Sequence, residues 1–331
     1  MSVKTASFLT VKVIVLAILL SISFILGTFV SGMARMQPAA QPQVVTETTP
    51  GTTSAAAQPQ PAATPAAPDP NKVLRMLLLA CLLQALVVTH IILRSRWAGW
   101  KLVGAVFICF FGVNTVQAAI EAALYLSRRL PPGMVPRMFV MGAFTAALFS
   151  PLAVLILGKI RRGAEAEAPN PRLVMPLREW AWKAAVVGLA YLALYYTFGY
   201  FVAWQNPALR QYYGATELRS FPVHLAGIWS STPWMFPYHA FRGLLFAAFV
   251  LPVIRMFKGR AWETGLAVGL AFSFLGGAQL LLPNPFMPEV VARTHLIECT
   301  SSTFIFGGLV GWLLSRHHSS VRDLFRWAEA V

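Results

Sequence analysis

Eight stretches of about twenty or more residues, apolar and nearly free of charge, recur along this chain, at approximately 8–33, 73–93, 101–127, 137–158, 182–204, 238–257, 262–283 and 290–315. A hydrocarbon core about 30 Å thick is crossed by about 20 apolar residues in α-helix. Inside lipid the backbone must satisfy its own hydrogen bonds, which a helix does within one segment. The pattern therefore predicts an all-α fold, a polytopic transmembrane helical bundle of about eight transmembrane helices. Composition agrees, with 57% hydrophobic and 12% charged residues, against about 25% charged in an ordinary soluble domain.

A net charge of +15 raises the question of nucleic acid, but the basic residues fall mainly in the connections between apolar segments. With the N-terminus inside, 17 of the 27 Lys and Arg are assigned to the inner side and 9 to the outer, and the remaining one, Arg242, falls within a membrane segment. That bias is the signature of membrane orientation. It places both termini in the cytoplasm and the chain in the cell (inner) membrane as a multi-pass protein, with membrane lipid as its partner and no nucleic acid. Arg128 and Arg129, on the outer side, run against the trend.

The first run exceeds the 7–15 residues of a signal-peptide core, so residues 1–36 read as a retained N-terminal transmembrane anchor. Residues 37–71, rich in Ala, Pro, Gln and Thr, lack the apolar side chains needed to pay for ordering and read as a disordered extracytoplasmic linker. Residues 72–316 form a seven-helix membrane core. Within it the connection at about 205–237, with Trp204, Tyr212, Tyr213, Trp229 and Trp234 among prolines and glycines, reads as interfacial or re-entrant. Residues 317–331 form a short amphipathic cytoplasmic tail, with Val321, Leu324, Phe325 and Ala328 on one side. His317 and His318 read as interfacial charge.

Two patterns concern packing. Gly265, Gly269, Ser273 and Gly277 make a small-residue stripe that admits a close helix-helix partner, and Gly307 and Gly311 do the same later. Pro136, Gly142, Ala146, Ala147 and Pro151 recur as Pro237, Gly243, Ala247, Ala248 and Pro252, which raises a duplicated helical hairpin.

An ionisable group in hydrocarbon costs at least about 2.5–3.5 kcal/mol at a helix centre, so the few present are paired or functional. Asn114, Gln117 and Glu121 share one face of the third segment by helical spacing. His239 and Arg242 share one face of the sixth, and His295, Glu298 and Ser302 one face of the eighth. At 1.5 Å per residue Glu121 lies about 9 Å below the outer end of its helix, and Arg242 and Glu298 one or two turns below theirs. All the charges thus fall in the outer half of the bilayer. Arg242 has the fork of donors to serve both acids.

The substrate-binding candidates are accordingly Glu121, Arg242, His295, Glu298, Asn114, Gln117 and His239. The leading expectation is a site that binds or transports a small amphipathic or anionic molecule, a small-molecule or lipid ligand. Two alternatives stand beside it: an intramembrane enzyme acting on a lipid or lipid-linked substrate, and a membrane assembly or scaffold protein. No metal is expected, because H-x-x-E occurs once and Cys81, Cys109 and Cys299 read as small buried hydrophobes without paired spacing. The chain has no Walker-type loop, H-E-x-x-H, G-x-S-x-G or dinucleotide fingerprint, so the sequence names neither cofactor nor reaction.

Overall fold

The computed structural model describes residues 3–35, 69–126, 130–161, 170–215, 217–284 and 287–324. Arg128 and Arg129, most of the 37–71 segment and the residues beyond Leu324 lie outside them. Among the described residues regular structure is helical, apart from one isolated bridge between Ser95 and Phe257.

The eight long helices are α1 (Val3–Val30), α2 (Pro70–Leu93), α3 (Gly99–Tyr125), α4 (Met134–Ile156), α5 (Leu177–Ala203), α8 (Met235–Met256), α9 (Ala261–Leu281) and α10 (Glu289–Leu314). Each is long and apolar enough to cross a membrane. Between α5 and α8 lie two short helices, α6 (Pro207–Tyr212) and α7 (Phe221–Ser231). The chain is a multi-pass membrane protein, and its spans fall within a few residues of the apolar runs. Helix α5 begins five residues before its apolar run, at Leu177, so Glu179 is helical rather than in a connection. Likewise α2 begins at Pro70, two residues inside the expected linker, because Asp69 caps it by accepting from Asn71 N at 3.0 Å with proline at the first helical position.

Successive long helices run antiparallel. At one end, here the Tyr125 end, Lys72 pairs with Glu289 at 2.9 Å and Arg137 donates to Gly32 O at 2.9 Å. At the other, the Arg94 end, Arg94 pairs with Glu263 at 2.5 Å, and Arg172 donates to the carbonyls of Ile254, Phe257 and Gly259. The core between them is built from Phe110, Phe149, Phe272, Phe306, Val250 and Ile254. The anchor helix α1 belongs to this bundle: Leu16 and Leu20 are buried in the common core, and Thr145 of α4 donates to Ser23 O at 3.4 Å. Its outward face, with Ile14, Ile18, Ile22 and Phe29, stays exposed, as a lipid-facing surface does.

The glycine stripe finds its neighbour within the chain. A Cβ at Gly269 would lie 2.8 Å from Phe304 O and one at Gly311 2.7 Å from Thr264 O, and Ser273 donates to Thr300 O at 2.6 Å. Backbones approach this closely only without side chains between them, which is why α9 and α10 lie flush. The two halves of the sequence repeat occupy comparable places: Gly142 admits Thr115 of α3, Gly243 admits Tyr191 of α5, and Pro151 and Pro252 sit inside α4 and α8.

The connection from α5 to α8 is structured. Asn206 caps α6 by accepting from Ala208 N at 3.0 Å, and its amide donates to Thr294 of α10 at 2.7 Å. Helix α7 buries none of its residues and exposes Val223 and Trp229, the disposition of a helix lying at a membrane surface.

Candidate functional site

Three of the long helices change their winding in the half nearer the Tyr125 end. Residues Phe111–Val116 of α3, Gly199–Ala203 of α5 and Ala271–Gly276 of α9 form π-turns. A π-turn inserts a residue into the α register, frees backbone groups and is frequent at functional sites. In α3 it also divides the expected polar face.

Gln117 and Glu121 point to α8. Arg242 Nη1 lies 2.6 Å from Glu121 Oε1 as an ion-pair contact, and Arg242 Nε donates to Gln117 Oε1 at 3.0 Å. The Arg242 side chain is 5% exposed while that of Glu121 is 41% exposed, so the cation is enclosed and its acid open. The arginine also lies over the rings of Tyr191 and Phe246, at 5.8 and 5.7 Å, which favours a cation in an apolar setting.

Asn114 does not join this group. An α-helix would carry it onto the same face as Gln117, but the π-turn ending at Val116 rotates it away. It donates instead to Leu275 O of α9 at 2.8 Å, near where α9 passes from π to 3-10 winding. Gln84 of α2 donates to the same oxygen at 3.3 Å, and Gln279 donates to Asn114 O at 3.4 Å. These amides border a cavity of about 40 Å3 with Thr115 and Thr145, enough for an ordered water.

One turn from Arg242, His239 is fully buried and stacks on Tyr195 with ring centroids 3.6 Å apart, and its Nε2 shares a hydrogen bond with the Tyr125 hydroxyl at 3.0 Å. Tyr195 in turn donates to Tyr125 at 3.4 Å. Hydrogen-bond partners thus run from α8 to α3 and α5.

The third contribution comes from α10. His295 Nδ1 and Cys299 Sγ each lie 3.2 Å from Glu298 Oε2, and the Tyr213 hydroxyl lies 3.0 Å from His295 Nε2. Ser302 donates only to Cys299 O, at 3.3 Å. Glu298 is buried and His295 partly so. Cys299 lies within electrostatic reach of Glu121 and Arg242, and Tyr213 within reach of Glu121 and Glu298, so the two clusters are neighbours. Arg242 serves Glu121 rather than both acids.

Neither a family model, a curated protein nor a solved structure matches the chain. What the site does must be read from its chemistry.

Six of the seven sequence candidates come together: Glu121, Gln117, His239 and Arg242 in one cluster, His295 and Glu298 in the other. Five participants were not singled out from sequence, namely Tyr125, Tyr191, Tyr195, Cys299 and Tyr213. Tyr125 and Cys299 carried a signal, each standing four residues after a named polar residue, Glu121 and His295 respectively. Tyr213 carried none, since a loop residue reaches α10 only through the folding of α6.

A second buried pair lies at the Arg94 end. Lys183 Nζ, fully enclosed, lies 2.6 Å from Glu179 Oε1 and donates to Arg316 O at 2.5 Å. Glu179 also accepts from His318 N at 2.9 Å. His318 is buried between Trp182 and Trp312, with ring centroids at 6.0 and 5.7 Å, and so is a packing residue rather than interfacial charge.

Proposed function

We propose that this protein binds or transports a small amphipathic molecule at the polar site in the outer half of the bilayer, with both termini in the cytoplasm of a cell (inner) membrane. The observation that carries the reading is the half-open ion pair. A buried salt bridge that only fixes helices offsets its desolvation cost by satisfying both partners within the bundle, yet the Glu121 carboxylate is open while Arg242 is enclosed. The uneven basic residues on alternate connections support the orientation.

The charge balance narrows the ligand. Glu121 neutralises Arg242, whose Nε is spent on Gln117, so the arginine offers little to a free anion. Glu298 is the surplus acid, and the site favours a molecule with a hydrogen-bonding or cationic head and an apolar body.

Native mass spectrometry of the purified full chain, extracted with its lipid, tests the proposal. A molecule retained by the wild type should be lost or much reduced in Arg242→Ala and Glu298→Gln and retained in Asn170→Ala, far from the site. Equal retention in all of them overturns it. A second reading, an intramembrane enzyme on a lipid-linked substrate, draws on the His295, Glu298 and Cys299 grouping. Product formation lost in Glu298→Gln while the molecule stays bound would select it.

A further inference from the structure

We infer that His295, Glu298 and Cys299 form a binding site for a zinc-class divalent transition-metal ion. Positions i, i+3 and i+4 share one helical face. The structure brings their ligating atoms within 4.8 Å of one another, with Glu298 Oε2 at 3.2 Å from both His295 Nδ1 and Cys299 Sγ. Neighbouring ligands around a tetrahedral ion with bonds of about 2.0–2.3 Å are spaced on that scale. One imidazole, one carboxylate and one thiolate form a mixed set that suits a borderline ion rather than Mg2+ or Ca2+.

Charge supplies a second argument. Arg242 is committed to Glu121 and Gln117, and the partners of Glu298 on its own helix are a histidine and a thiol. A divalent ion held by a neutral imidazole, a carboxylate and a thiolate makes a group of zero net charge, which membrane burial favours. Binding breaks the Cys299 S–H bond, the sulfur keeps the electron pair and bonds the metal, and one proton leaves to solvent. His295 then ligates through Nδ1 and donates its Nε2–H to the Tyr213 hydroxyl, 3.0 Å away. Such an outer partner fixes the tautomer and orientation of a ligating ring. Three protein ligands leave a fourth position for water or substrate, the arrangement of a catalytic rather than a structural zinc site.

The inference goes beyond the proposed function and is read by a different signal. The purified full chain, stripped with chelator, is titrated with Co2+ alone. The expected result is saturation near one equivalent with a thiolate-to-cobalt charge-transfer band, abolished by added Zn2+. Cys299→Ser should lose the band and Tyr213→Phe should weaken binding by about tenfold, while Cys81→Ser and Cys109→Ser keep both. No charge-transfer band in the wild type, or an unchanged band in Cys299→Ser, overturns the site. Should Cys299→Ser fail to fold, the alkylation rate of Cys299 in a Cys81→Ser, Cys109→Ser background decides: Zn2+ should slow it, and equal rates with and without Zn2+ overturn the site. Neither readout depends on whether Arg242→Ala alters a co-purified molecule.

Discussion

Arg242 is the residue on which most of the polar site rests, and its removal separates pairing from packing. Arg242→Ala leaves Glu121 and Gln117 without their partner, so the variant should lose more than Gln117→Leu but less than the about 3–5 kcal/mol of a fully buried pair, because Glu121 is 41% exposed. Gln117→Leu, which removes one hydrogen bond to a charged group, should lose about 1.5–3 kcal/mol. Unfolding of both in detergent checks the order. At the Arg94 end the His318 ring is held below its ordinary value of 6.5 by burial first and then by Lys183 and Arg316, with Glu179 and Asp323 acting in the opposite sense. The unfolded chain therefore takes this proton at a higher pH than the folded one. Stability present above about 6.5 is lost as pH falls through the lower folded value. The unfolding midpoint should drop on acidification in the wild type and drop less in His318→Asn.

At the scale of elements, the close pairing of α9 with α10 depends on glycines that touch backbone, whereas a Cβ at Gly308 of α10 would touch nothing. Gly269→Leu should destabilise by at least about 1–3 kcal/mol, because the facing Phe304 carbonyl cannot move without its helix. Gly308, with open space around its missing Cβ, makes the control. Gly308→Ala should be neutral or stabilising by about 0.4–1 kcal/mol, and thermal unfolding separates the two. The π-turns act at the same scale. They lie in α3, α5 and α9, which all run toward the Tyr125 end, and in α3 and α9 they decide which side chains meet. Asn114 shows the effect: its spacing from Gln117 places the two together in an α-helix, and the inserted residue sends it to Leu275 O instead.

For the molecule as a whole, the pairing of Tyr125 with His239, Glu121 with Arg242 and Lys72 with Glu289 gathers these groups at one end of the bundle. This agreement in depth was drawn from an eight-helix count with alternating direction, and moving one hairpin would break it. Single cysteines at Pro132 and Lys258, both exposed and at opposite ends of the bundle, test the orientation in a chain otherwise without cysteine. Impermeant maleimide on intact cells should label Pro132→Cys and reach Lys258→Cys only after permeabilisation. The reverse pattern would put the site in the inner half.

The number and span of the long helices, their alternation and the placing of Glu121, Arg242 and Glu298 toward one end of the bundle were legible from the sequence, because crossing length and the cost of charge in lipid act on each segment locally. A small-residue face on each of α9 and α10 was legible in the same way, from residues four apart, and the structure shows that the two faces meet. Three things were settled only by tertiary structure. Glu121 rather than Glu298 takes Arg242, because helix rotation decides which acid faces the fork. Asn114 leaves the cluster, since no composition marks a π-turn. Tyr213 closes on His295 from a connection whose path is fixed by capping and by contacts with α10. Periodicity records which face a residue occupies in a regular helix, while the partner it meets there depends on rotation, winding and loops set by the whole bundle.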